Sequence, residues 1–177
     1  DNNSPLRRFQ QFLHTSPAAV PLIVLILSVA IFGVLVGGKF FNAYSLTLII
    51  QQITIVGIVG AAQALIILTA GIDLSVGAIM VLMSVIVGNL AVGMGVPSAL
   101  ALLIGFAGGM GAGAINGLFV TRFKLPPFIV TLGTWNIFFA LTLWLSGAQS
   151  IRSQDIDAAA PLLKFFGNSF GVGGAQF

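Results

Sequence analysis

The chain has no cysteine, a single histidine, a single tyrosine, and charged side chains at only 6% of its 177 positions. Without cysteine there is no disulfide framework and no thiolate site, and the redox compartment is left open. With His14 as the one histidine, no cluster with metal-ligand spacing exists. No nucleophile, base and acid are grouped as covalent catalysis needs, and no Walker A loop is present to cradle a nucleotide. Catalytic and metal roles are therefore not expected of this chain, and any energy source lies in another polypeptide or an ion gradient. Seven basic residues against four acidic ones give a formal charge of +3, but they are scattered and form no patch, which argues against a nucleic-acid partner. An ordinary soluble domain is about one quarter charged, so water is not the main solvent here.

What the chain does have is apolar length, with 58% hydrophobic residues and a mean hydropathy of +1.10. No charge falls between His14 and Lys39, between Lys39 and Asp73, between Asp73 and Arg122, or between Lys124 and Arg152. Each interval is longer than the roughly 20 residues a helix needs to cross hydrocarbon. The pattern predicts an all-α, polytopic membrane protein with about five spans, near 18–36, 46–70, 76–91, 98–120 and 128–145. Residues 1–16 read as a cytoplasmic N-terminal segment, 17–145 as the transmembrane region and 146–177 as an extracytoplasmic segment with a short helix. Arg7-Arg8 before an apolar run has the layout of a secretory signal, but the run is long and further spans follow, which favours a retained first span. Starting at Asp1 rather than Met, and ending just after a Gly-rich stretch, the chain reads as a fragment.

Punctuation between the spans is clear. Gly37-Gly38-Lys39 breaks the first, and Phe40 to Ser45 reads as a short aromatic turn at the interface. Span two, roughly 37 Å long at 1.5 Å per residue, is long enough to tilt or emerge. Pro97 opens span four, and Pro126-Pro127 stops any continuous helix after the basic loop of Arg122 and Lys124. Arg7, Arg8, Arg122 and Lys124 share one side against Lys39, Arg152 and Lys164, so the positive-inside rule predicts a cytoplasmic N-terminus.

The chemistry-bearing candidates are few. Asp73, flanked by Gly71, Ser75 and Gly77, is the sole acid between Asp1 and Asp155, and a charge at that depth must be paired, solvated or placed at a helix end. Asp73 and Ser75 suit helix N-caps, and equally suit a polar element lining or gating a solute path. Gln51, Gln52, Gln63, Asn89, Asn116 and Asn136 are neutral amides within spans, fit to bind a hydroxyl-rich neutral solute. The plainer role for such amides is interhelical hydrogen bonding, worth about 0.6 kcal/mol each. Trp135 beside Asn136 can stack on a sugar face, or simply pack. Gly105, Gly109, Gly113 and Gly117 repeat at every fourth position, a groove for close helix packing.

Three segments in order carry a resemblance. Gly71-Ile72-Asp73-Leu74-Ser75-Val76-Gly77, then Asn116-Gly117-Leu118-Phe119-Val120 with its basic loop, then Pro126-Pro127-Phe128-Ile129-Val130-Thr131-Leu132-Gly133-Thr134 together resemble the ribose-type permeases of ATP-binding-cassette importers. The resemblance implies an all-helical fold of about ten spans in two related halves, of which this chain matches the N-terminal half. It implies a bacterial inner-membrane permease for a monosaccharide, partnered by a second permease copy or paralogue. It also implies separate ATPase subunits that hold ATP and Mg, and a periplasmic or lipid-anchored sugar-binding protein. The main ATPase docking surface is expected in the other half, which leaves Arg122, Lys124, Pro126 and Pro127 a secondary contact. Thr134-Trp135-Asn136 looks most like fructose or related hexose members. An ion-coupled secondary transporter, a passive channel and a membrane scaffold are the competing readings; Asp73 would be the ion site of the first.

Overall fold

A computed structural model of the chain describes residues 15, 16, 18–167, 171, 172, 175 and 176. The predicted N-terminal segment 1–16 lies almost wholly outside them. The architecture is helical: α1 (Ala19–Val36), α2 (Ala43–Leu68), α3 (Val76–Gly88), α4 (Ser98–Thr121), α5 (Pro127–Ser146), α6 (Ser153–Ala159) and α7 (Pro161–Gly167). A final pair, β1 (Gly171–Val172) and β2 (Ala175–Gln176), is antiparallel. Five helices, α1 to α5, are long and apolar enough to cross a membrane. In hydrocarbon each backbone N–H must find its carbonyl within the segment, which makes the helix the answer to an uninterrupted apolar run.

The chain forms two compact units, residues 54–169 and residues 1–53 with 170–177. In the second of these α1 ends where Gly37 turns to a positive φ of 67°. Of the aromatic turn expected over Phe40 to Ser45, only 40–42 is a turn, and Ala43, Tyr44 and Ser45 already belong to α2. Phe32 and Phe40 stack at 6.2 Å, Phe41 meets Phe40 edge-on at 5.1 Å, and Gly33 leaves room for the Phe41 ring, whose carbons lie 3.0 Å from where a Cβ would be. α2 begins earlier than the sequence suggests, because Asn42 Oδ1 accepts a hydrogen bond from Tyr44 N–H at 2.8 Å and starts the helix there.

In the 54–169 unit, α2 stops at Leu68 rather than running to Ala70. Gly71 N–H bonds Ile66 O at 3.1 Å and Ala70 N–H bonds Ile67 O at 2.9 Å. With Ala70 at φ 58° this is a Schellman stop, in which alanine occupies the left-handed site that glycine usually takes. α5 ends in the same way on Gly147, also at φ 58°. Helix α3 lies between α4 and α5, and its Ala78 and Leu82 meet Ala112 of α4 and Phe138 of α5 in one buried cluster. At the other end Ala91, Ala101 and Ala160 form a second, with Ile156 and Leu163 folded over it. The short helix expected after Ser146 is α6, and a second, α7, follows it, the two broken at Ala160-Pro161 because proline cannot continue a helix. α3 itself runs on as a wide π turn through Asn89–Gly93, where Met94 N–H reaches back to Asn89 O.

Alanines make up most of the buried clusters, with Leu82 and Phe138 the large residues among them, while many large apolar side chains face outward: Val34 is 84% exposed and Met110 76%. Lipid tails are as apolar as leucine, so burial of large side chains is not what holds such helices; close approach of small residues is.

Candidate functional site

The loop from Thr69 to Ser75 joins α2 to α3 and is the most densely pinned irregular segment of its unit. Gln63 of α2 donates from Nε2 to Asp73 O at 3.0 Å. Thr131 of α5 donates to Ile72 O at 3.2 Å, sharing its hydroxyl with Pro127 O at 2.8 Å. Asn116 of α4 donates from Nδ2 to Ser75 Oγ at 2.7 Å. Ser75 in turn donates both its N–H and its hydroxyl to Asp73 Oδ1, each at 2.7 Å. Three helices therefore converge on one short loop, two of them on its backbone and α4 on the Ser75 hydroxyl, and a relay runs Asn116 to Ser75 to Asp73. Ser75 has no exposed surface and Asn116 is only 5% exposed.

The charge of Asp73 is met by hydrogen bonds rather than by a cation. Among the described residues the ion pair is Lys164 with Asp157 at 3.9 Å, at the opposite end of the unit. Both bonds converge on one carboxylate oxygen, Asp73 Oδ1. This corrects the N-cap expectation: Ser75 stands at the N-cap of α3 but makes no side-chain cap bond. Its φ of −83° and ψ of −14° are helical, whereas a capping hydroxyl needs extended backbone to reach the next turn. Asp73 caps the Ser75 N–H instead. Gln63 Oε1 and Asn116 Oδ1 are buried with no donor among the described residues.

The flanking glycines differ. A Cβ at Gly71 would stand 3.2 Å from Ile66 Cγ2, so the Schellman wrap is tight there, while Gly77 has open space. Of the other solute-path candidates, Gln51 is exposed. Trp135 is 39% exposed and stacks on Phe139 at 5.9 Å and 10°. Asn136 donates to Leu132 O at 2.8 Å, one turn back on its own helix. The face that α5 turns inward is Val130, Thr131, Thr134, Phe138 and Thr142. Thr131 and Thr134 stood out in the sequence only as motif residues and Thr142 not at all, although hydroxyls at i, i+3 and i+11 of an apolar helix mark one face. Asn89 of the π turn does tie helices together, donating to Leu145 O at 2.9 Å.

The glycine stripe needs correction. A Cβ at Gly105 would meet Val87 Cγ2 at 2.5 Å and one at Gly109 would meet Met83 Cγ at 3.7 Å, but Gly113 and Gly117 have nothing within 4 Å. The face that meets α3 is Ala101, Gly105, Gly108, Ala112 and Asn116. A strict four-residue step overshoots a full helical turn by about 40°, so three such steps swing roughly 120° off the contact.

Arg122, Lys124, Pro126 and Pro127 follow Asn116 and precede Thr131, at the Asp73 end of the unit. Arg122 and Lys124 are exposed, and Lys124 adopts φ 55°. At the other end, α3, α4, α5 and the stretch after Gly147 enclose a cleft of about 1260 Å³, lined by Met80, Met83, Phe106, Met110 and Thr142 among others. None of Gln51, Gln63, Asn116, Trp135 or Asn136 lines it.

Comparison with known proteins gives this geometry its context. The family model described as "Branched-chain amino acid transport system / permease component" matches residues 45–177. The fructose import permease protein FrcC of Rhizobium meliloti is 59% identical over 97% of this chain and 48% of its own length. The D-allose transport system permease protein AlsC of Escherichia coli is 39% identical over 76% of this chain and 41% of its own. The ribose import permease protein RbsC of Bacillus subtilis is 39% identical over 70% and 38%. No solved structure matches. The chain spans about half the length of these relatives. With its pinned loop inside the matched region, and with relatives named for sugars along most of its length, this chain belongs to that family of transport permeases.

Proposed function

We propose that this chain is the membrane-spanning part of a permease subunit that moves a monosaccharide, fructose or a related hexose, into the cytoplasm. The single observation that carries this is the 59% identity to a fructose import permease over 172 residues, which includes the whole of the pinned loop. Separate ATPase subunits hydrolyse Mg-ATP, a periplasmic or lipid-anchored binding protein delivers the sugar, and a second permease copy or paralogue completes the path. This chain does no covalent chemistry; it supplies rigid helices that rock between outward and inward states.

The orientation follows from charge. With the spans alternating, Arg7, Arg8, Arg122 and Lys124 fall on the Asp73 side and Lys39, Arg152 and Lys164 on the other, four basic residues to three. Basic residues near span ends resist translocation, which supports a cytoplasmic Asp73 end and a cytoplasmic N-terminus in the bacterial inner membrane. Arg122, Lys124, Pro126 and Pro127 then face the ATPase side as a secondary contact.

The test is reconstitution of the complete permease with its ATPase and binding protein in liposomes, with labelled fructose, allose and ribose as solutes. ATP-dependent uptake that prefers fructose is expected. Uptake at full rate without ATP would reject the importer, and uptake that follows a sodium or proton gradient and is lost in Asp73→Asn would favour a secondary transporter.

A further inference from the structure

In the unit that holds α1, the chain folds back on that helix and the return builds a groove. Gly37 leaves the helix at φ 67°, a tight 3-10 turn carries Gly37–Lys39, and Ser45 Oγ holds the turn by donating to Lys39 O at 2.8 Å. Because Gly33 has no side chain, the Phe41 ring comes close against α1, 3.0 Å from where a Cβ would stand. Phe40 meets that ring edge-on at 5.1 Å and fixes it there. Between Phe41 and the stripe of α1 from Leu25 to Val34 lies a groove of about 660 Å³, and every residue on its wall is apolar.

Size and charge together select the occupant. A helix about 10 Å across would fill that volume over roughly 8 Å, between one and two turns, which is too short a seat for a membrane-spanning partner. From Leu25 to Val34 the stripe rises about 13.5 Å, close to the roughly 15 Å of hydrocarbon in one leaflet. A lipid acyl chain has that reach and is thin enough to lie along it. At the end where the chain turns back stands Lys39, the single charged side chain among the described residues of this unit. Tyr44, exposed just past the turn, marks this level as the depth of the headgroups, where its hydroxyl stays wet. An ammonium at that depth attracts an anion, and the described residues of the unit supply none. An anionic headgroup offers a phosphate without bringing a competing cation of its own. We propose that the groove binds one anionic phospholipid, with an acyl chain between α1 and Phe41 and the phosphate paired with Lys39.

The test uses the complete permease in its assembled complex, reconstituted in vesicles of equal parts phosphatidylcholine and phosphatidylglycerol. One lipid or the other carries a photoreactive diazirine on its acyl chain, and the adducts are mapped to residues by mass spectrometry. Phosphatidylglycerol adducts are expected to concentrate on the stripe from Leu25 to Val34 and on Phe41, above those of phosphatidylcholine and above the opposite face of α1, where Leu27 and Ile31 are exposed. Lys39→Gln is expected to lower the phosphatidylglycerol adducts in the groove about fivefold and to leave the opposite face unchanged. Gly33→Leu, which drives a side chain into the Phe41 ring, is expected to abolish them. Equal labelling by the two lipids, equal labelling of the two faces, a groove that takes no lipid because polypeptide covers it, or a Lys39→Gln variant that labels as the parent does would each overturn the proposal. None of these readouts depends on which solute is carried.

Discussion

Replacing Asp73 with alanine removes the acceptor of both hydrogen bonds from Ser75, each 2.7 Å long. Ser75 has no exposed surface, so its N–H and hydroxyl lose a partner without gaining water. Hydrogen bonds to a charged acceptor contribute about 1.5–3 kcal/mol each, offset by the cost of holding a carboxylate away from bulk water. A net loss of about 2–4 kcal/mol is expected for Asp73→Ala. Asp73→Asn keeps an acceptor oxygen in the same place and forfeits the charge, for which about 1–2 kcal/mol is expected. The double-mutant cycle with Ser75→Ala isolates the pair and should give a coupling of about 1–2 kcal/mol. The assay is detergent-solubilised permease titrated with SDS and followed by far-ultraviolet circular dichroism. Strict additivity of Asp73→Ala and Ser75→Ala, or an Asn variant no better than Ala, would refute the relay as the reason for the acid at this position.

Three further outcomes follow from the packing. Gly105→Ala puts a carbon 2.5 Å from Val87 Cγ2 and should cost about 1–3 kcal/mol in the same titration; Gly113→Ala, with open space around it, should be neutral or slightly stabilising. Gly88→Ala collides with Ile151 Cδ1, so Ile151→Ala should restore most of the stability that it loses. Trp135→Leu breaks only an outward-facing stack with Phe139, worth about 0.5–1.5 kcal/mol, and is expected to leave the KM for sugar uptake unchanged in proteoliposomes.

Much of the loop from Thr69 to Ser75 was legible as a segment but not as an arrangement. Asp73 was conspicuous because it stands alone among apolar residues, and Gln63 and Asn116 because amides are rare in spans. That Asn116 reaches Ser75 across 41 positions of sequence, and that Thr131 reaches Ile72 across 59, depends on how α4 and α5 are placed against α3. No local pattern encodes that. Ser75 was expected to cap α3, but its backbone is already helical and its hydroxyl is claimed by Asp73, an outcome set by neighbours rather than by propensity.

The number of spans and most of their ends were determined by the sequence alone, because the medium enforces a simple rule. Apolar runs must satisfy their backbone internally, and charge, Gly-Gly and Pro-Pro mark where they leave the lipid. Which face of each helix turns inward was decided only by tertiary structure. When lipid and core are equally apolar, hydrophobicity around the helix carries no direction, so the choice falls to close contact. Hence Trp135 and Gly117 look outward while Thr131 and Ala112 look in.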